Sequence, residues 1–183
     1  ASDSGAANRR NMALLVQLRW IAVAGQVATI LVVELWLGIP LPLAEMAVVL
    51  AALVLLNLAT QLWLRRIPDV SGQALLVGLV LDVAALTAQL WLSGGATNPF
   101  ASLYLLQVTL GAVLVDRRSA WVLAGLTCTA LLALAWTHRP LHFPGHDDAA
   151  IFSLHVAGML ACFLLDAILL VVFVTRVSEN LRA

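Results

Sequence analysis

The stretch Ala74-Leu-Leu-Val-Gly-Leu-Val-Leu-Asp82-Val-Ala-Ala-Leu-Thr-Ala-Gln89-Leu-Trp-Leu92 decides the fold. A helix that crosses a bilayer needs roughly 20 predominantly apolar residues, and this run supplies them around a single carboxylate. Barrel strands would be about ten residues long and alternate apolar with polar; the run does neither. Five more runs of the same kind can be marked outward from it, at Leu18–Leu37, Leu43–Leu64, Pro99–Val115, Ala120–Thr137 and Ala149–Val174. Short punctuation at 38–42, 65–69, 93–98, 116–119 and 138–148 separates them. The expected fold is all-α: an integral membrane bundle of six transmembrane helices.

Composition agrees. Of 183 residues 62% are hydrophobic and 11% charged, whereas a soluble domain carries about 25% charged residues. This excludes an ordinary soluble globule, and it excludes disorder, which requires low hydrophobicity and high charge. The formal net charge is zero, so no global field draws nucleic acid to the chain. Cys128 and Cys162 lie in apolar stretches without CxxC spacing, which suggests neither a disulfide framework nor a zinc site.

All basic residues are arginine, and their placement orients the bundle. Arg9, Arg10 and Arg19 stand at the start of the first run, Arg65 and Arg66 after the second, Arg117 and Arg118 after the fourth, and Arg176 and Arg182 after the sixth. Alternating sides puts these on one face and leaves only Arg139 on the other, so both termini are expected in the cytoplasm. Residues 1–17 then read as a cytoplasmic segment, 18–174 as the bundle and 175–183 as the start of a cytoplasmic helix. The chain begins without methionine and stops just after the sixth run, which suggests a piece of a longer protein.

Polar groups inside the runs are candidates for function. Asp82 lies near the middle of the third run and Asp166 in the sixth. A carboxylate at that depth costs roughly 2.5–3.5 kcal/mol on insertion scales, so each should face the interior. With no intramembrane arginine expected as counter-ion, Asp82 is read either as a proton or ligand site or as a hydrogen-bonding partner of Asn57, Gln89 or Gln107. Glu34 reads as a solvated acid at a helix end, and His155 as a hydrogen-bonding residue of the sixth run. The outer loop spaces His138, His142 and His146 four apart before Asp147 and Asp148, a donor set suited to zinc or copper. Pro140 and Pro144 break the helix that would align them, so no metal is expected. Trp20, Trp36, Trp63, Trp91, Trp121 and Trp136 fall near the ends of runs, as an interfacial aromatic belt does.

One connection is unusual: Ser93-Gly94-Gly95-Ala96-Thr97-Asn98-Pro99-Phe100. Paired glycines permit positive φ and a close approach to the backbone. Asn98 suits an N-cap and Pro99 a first helical position. The amides from Phe100 onward are then expected to be unpaired at the positive end of the helix dipole. Beside the Phe100 ring, such donors would suit a planar, lipid-soluble ligand with ring carbonyls. On physics alone, a turn that merely starts a helix is the favoured alternative.

Gly94-Gly95-Ala96-Thr97-Asn98-Pro99-Phe100 resembles the GGxxNPF signature of the RegB/PrrB/ActS-type redox-responsive sensor histidine kinases. Leu18-Arg19-Trp20, Gly25-Gln26, Asp82 and Arg176-Val177 support it, so the resemblance covers essentially the whole chain. It implies a membrane domain that senses the ubiquinone pool through Gly94, Gly95, Asn98, Pro99 and Phe100; beside these, Asp82, Gln89 and Asp166 are candidate intramembrane polar or signal residues on their own chemistry. It also implies a cytoplasmic kinase, using ATP and magnesium, that feeds a response regulator. That family's phosphoacceptor histidine, ATP-binding domain and redox-active cytoplasmic cysteine have no counterpart in these residues. Leu170, Val174, Val177 and Leu181 are spaced as a heptad seam, from which a homodimer in the lipid bilayer is expected. Two other functions fit the composition: a small transporter or channel using Asp82 and Asp166, and a passive membrane anchor.

Overall fold

A computed structural model describes residues 3–137, 139, 155–159 and 162. Five helices follow one another: α1 (Asp3–Leu31), continued by a wider π turn at Val32–Trp36, α2 (Leu43–Arg66), α3 (Gly72–Leu92), α4 (Leu103–Leu114) and α5 (Arg117–Trp136). Two tight 3-10 turns, Gly95–Thr97 and Pro99–Ser102, join α3 to α4. Residues 155–159 are helical, and no strand occurs among the described residues. Four stretches are long and apolar enough to cross a membrane: Ser4–Trp36, Leu43–Arg66, Gly72–Leu92 and Arg117–Trp136. The shorter apolar helix Pro99–Leu114 stands where the fourth run was expected.

Local chemistry sets the ends. Ser71 caps α3 by accepting a hydrogen bond from the Ala74 amide at 3.2 Å. Asp116 caps α5, accepting from the amides of Arg118 and Ser119 at 3.0 and 3.2 Å. Glu34, expected to be merely solvated, accepts from the Leu41 amide at 2.8 Å and so fastens the α1–α2 turn. At the other end of α1, Arg9 donates to the Leu64 and Ile67 carbonyls at 2.9 and 3.2 Å. Those are carbonyls that the end of α2 leaves without an intrahelical donor. These bonds put Arg9, Arg10, Arg65 and Arg66 at one end of the bundle, while Arg139 meets Glu45 at the other, at 3.2 Å.

The first helix departs from expectation. It begins at Asp3, not at Leu18, and Met12, Leu14, Leu15 and Val16 are buried in the core. The early arginines had suggested a boundary at Leu18, yet Met12-Ala-Leu-Leu-Val-Gln-Leu18 is itself mostly apolar and packs on α3.

Helix α3 is central: it touches α1, α2, α4 and α5. Its most apolar window is 39% buried, against 17–22% for the other three spans. Leu75, Leu79, Val83, Leu86 and Leu90 form its inward face. Outward, Trp36, Trp121 and Trp136 are exposed. A lipid-facing helix leaves such side chains outside the core at no cost, and tryptophan favours the interface.

Candidate functional site

The Gly94–Phe100 segment folds as a closed turn. Gly94 and Gly95 take φ of +100° and +63°, and both are buried. An L side chain in the left-handed region costs roughly 1–2 kcal/mol, which is why glycine stands at both positions. Asn98 ties the turn together. Its Oδ1 accepts from the Phe100 amide at 2.9 Å, and its Nδ2 donates to the Ser93 carbonyl and hydroxyl at 2.8 and 2.9 Å. Ser93 in turn donates to the Gln89 carbonyl at 2.7 Å, which carries the network back into α3. Thr97 donates to the Gly94 carbonyl at 2.8 Å.

The expected cap is therefore present, with Asn98 at the N-cap and Pro99 first in the helical turn. The expected open donors are not. The Phe100 amide is held by Asn98 Oδ1, and the Ala101 amide donates to the Asn98 carbonyl at 3.0 Å. The reason is local: an asparagine N-cap followed by a 3-10 turn uses the amides that a bare helix start would leave free. Phe100 packs, partly buried, against the core. A Cβ added at Gly158 would lie 2.9 Å from Pro99 Cγ, and Cys162 Sγ lies 3.0 Å from Ser102 Oγ. The glycine thus lets the helical residues 155–159 close on the 3-10 turn that precedes α4.

Asp82 has a counter-ion, contrary to expectation. Arg19 donates through Nε to Asp82 Oδ1 at 2.6 Å and through Nη2 to Oδ2 at 2.9 Å. It also donates to Asn57 Oδ1 at 3.3 Å, and Asn57 donates to the Val16 carbonyl at 3.1 Å. Arg19 had been placed at a helix end. With the helical run extending from Ser4 to Trp36, it sits instead at mid-span, level with Asp82 in the middle of α3. The apolar residues from Met12 to Leu18 were the signal for this. A cavity of about 70 Å³ adjoins the pair, lined also by Gln26 and Gln107, whose Oε1 atoms are buried without a partner among the described residues.

Gln89 is not part of that network. Its Nε2 donates to the Met46 carbonyl at 3.1 Å and ties α3 to α2. His155 is exposed. Asp166, the outer-loop residues His138, His142, His146, Asp147 and Asp148, and the seam Leu170–Leu181 lie outside the described residues.

Sequence reading missed a larger feature, an apolar groove of about 800 Å³ between α2, α3 and α5. Val48 and Val49 form one wall, Ala84, Thr87 and Ala88 the floor, and Leu126, Ala130 and Ala133 the other wall. Trp91, Thr137 and Glu45 stand at one end. There Arg139 stacks 5.2 Å from the Trp91 ring centroid and pairs with Glu45. None of the five predicted ligand residues lines this groove, but the Gly95–Thr97 turn packs against α3 and α5 beside it.

These features define a multi-pass, all-helical membrane domain with a buried ion pair and a closed glycine turn. Residues 3–180 match the PilS-like transmembrane domain, a six-span family, and the chain belongs to it. It is a multi-pass protein of the inner membrane. It is also similar to the sensor histidine kinase RegB of Cereibacter sphaeroides, with 32% identity over 170 residues. That match covers 92% of this chain and 37% of the relative, so the chain spans little more than a third of the relative's length. No solved structure matches. The chain is thus a PilS-like transmembrane domain, similar over most of its length to part of a sensor kinase.

Proposed function

We propose that this domain binds ubiquinone at the outward turn formed by Gly94, Gly95, Asn98, Pro99 and Phe100, and that occupancy controls autophosphorylation of a cytoplasmic histidine kinase. That kinase would use ATP and magnesium and pass its phosphoryl group to a response regulator. The observation that carries the reading is the Asn98 clamp. Three hydrogen bonds of one side chain tie Ser93, at the end of α3, to the 3-10 turn that begins at Pro99, and the two buried left-handed glycines lie between them. A connection that only had to turn the chain would not need both glycines buried. The similarity to RegB across nearly the whole chain supports the same reading. Since the Asn98, Phe100 and Ala101 amides are engaged within the turn and both glycines are buried, the half-buried Phe100 ring is the surface offered to the ligand. The ion-path alternative gains nothing from Asp82, whose carboxylate is held by Arg19.

Quinone titration of the purified chain in nanodiscs tests this. Phe100→Ala removes an aromatic contact worth about 0.5–1.5 kcal/mol beyond its area, so affinity should fall up to roughly tenfold, while the lost packing against the core lowers thermal stability without unfolding the bundle. Wild-type affinity in a stable Phe100→Ala variant would remove the turn from the binding site.

A further inference from the structure

The groove between α2, α3 and α5 is made by small side chains. Ala84 and Ala88 on α3 face Ala130 and Ala133 on α5, and leucines at these four places would fill it. In a membrane bundle, small residues usually mark where a neighbouring helix comes close. Here Ala84 and Ala133 are exposed, and no described helix covers them. Along α3 the lining runs from Val80 to Leu92, a length of about 18 Å at 1.5 Å per residue. That is a little over half of a hydrocarbon core roughly 30 Å thick, close to the depth of one leaflet.

Charged groups are confined to one end, and the Thr87 hydroxyl on the floor is taken up by the Val83 carbonyl and the Tyr104 hydroxyl. The charges there, Glu45 and Arg139, are paired with each other, and the guanidinium stacks on Trp91. No cation in that described cluster is left for a phosphate. The volume lies within the range of about 300–1,000 Å³ usual for small-molecule sites. An occupant that matches has a single apolar chain and an uncharged head at the Trp91 end, where the Gly95–Thr97 turn adjoins.

We infer that the groove receives the isoprenoid tail of the quinone while its ring lies at the turn, an assignment that rests on the quinone reading above. It makes α5 and the small face of α3 part of the ligand site, and it gives the domain selectivity for tail length.

The test compares two quinones on the full chain in nanodiscs, one with a single isoprenoid unit and one with a long polyisoprenoid tail. Ala84→Leu and Ala133→Leu add bulk at exposed positions, so the core should stay intact. The long-tailed quinone should bind wild type more tightly, and the two substitutions together should weaken it roughly tenfold, a loss of about 1.4 kcal/mol. Binding of the short-tailed quinone should not change. A photoreactive group on the tail should cross-link to α3 and α5. Equal affinity for both quinones, unaltered by either leucine, overturns the groove assignment and leaves the turn as the site. Capture of a phospholipid in the groove, or subunit cross-linking through Ala133→Cys, also overturns it. If wild type binds neither quinone, the quinone reading itself fails.

Discussion

Arg19 holds three helices with one guanidinium: Asp82 of α3 through two bonds, Asn57 of α2 through a third, and its own backbone on α1. A buried ion pair is poor evidence of net stability, because desolvation offsets most of the attraction. Removing one partner, however, leaves an uncompensated charge and costs about 3–5 kcal/mol. Asp82→Met and Arg19→Met should therefore each lower the thermal unfolding temperature sharply. Replacing both residues together with methionine should recover most of the loss. A double variant as unstable as the sum of the singles would show that the pair contributes something other than mutual neutralisation. At Asn98 the two ends of the amide can be separated. Asn98→Asp keeps an acceptor for the Phe100 amide but loses the donations to Ser93, whereas Asn98→Ala loses both. Stability should fall in the order wild type, aspartate, alanine, with alanine about 0.5–2 kcal/mol down.

At the scale of elements, α5 has an end sensitive to pH. The Ser119 hydroxyl, followed by the Ser119 amide, holds the Asp116 carboxylate below its ordinary range. A folded-state value lowered in this way contributes stability that is fully present above the ordinary carboxylate value and lost as pH falls through the depressed one. The first turn of α5 should hence fray under strong acid while its middle stays protected. Amide hydrogen exchange at Arg118 and Ser119 should report this, and Asp116→Ala should abolish the pH dependence by raising exchange at every pH. The α3–α4 connection is the least replaceable element. Gly95→Ala, at a φ of +63°, should cost about 1–2 kcal/mol with no contact removed.

For the whole molecule, the arginines at one end and Arg139 at the other lead to the expectation of cytoplasmic termini. Cysteine at the exposed Thr97 should be labelled by a membrane-impermeant reagent from the periplasmic side. Labelling from the cytoplasmic side alone would invert the assignment. Lipid is an apolar solvent for the outer helix faces, so stability rests on packing and on the few internal polar contacts.

The all-helical class and the places of the second to fifth runs were legible in the residues because the bilayer demands long apolar runs, and little else in a sequence looks like them; the early start of α1 was not. The Asn98 cap and the left-handed glycines were legible too, since both are rules of local backbone chemistry. Which face of each helix turns inward was hidden. Core and lipid are both apolar, so the periodicity that marks an amphipathic helix in water is nearly absent here. Packing alone decided that α3 is central, that Arg19 meets Asp82 across α1 and α3, and that the alanines of α3 and α5 leave a groove. Each depends on residues far apart in the chain meeting at one depth, which no single helix specifies.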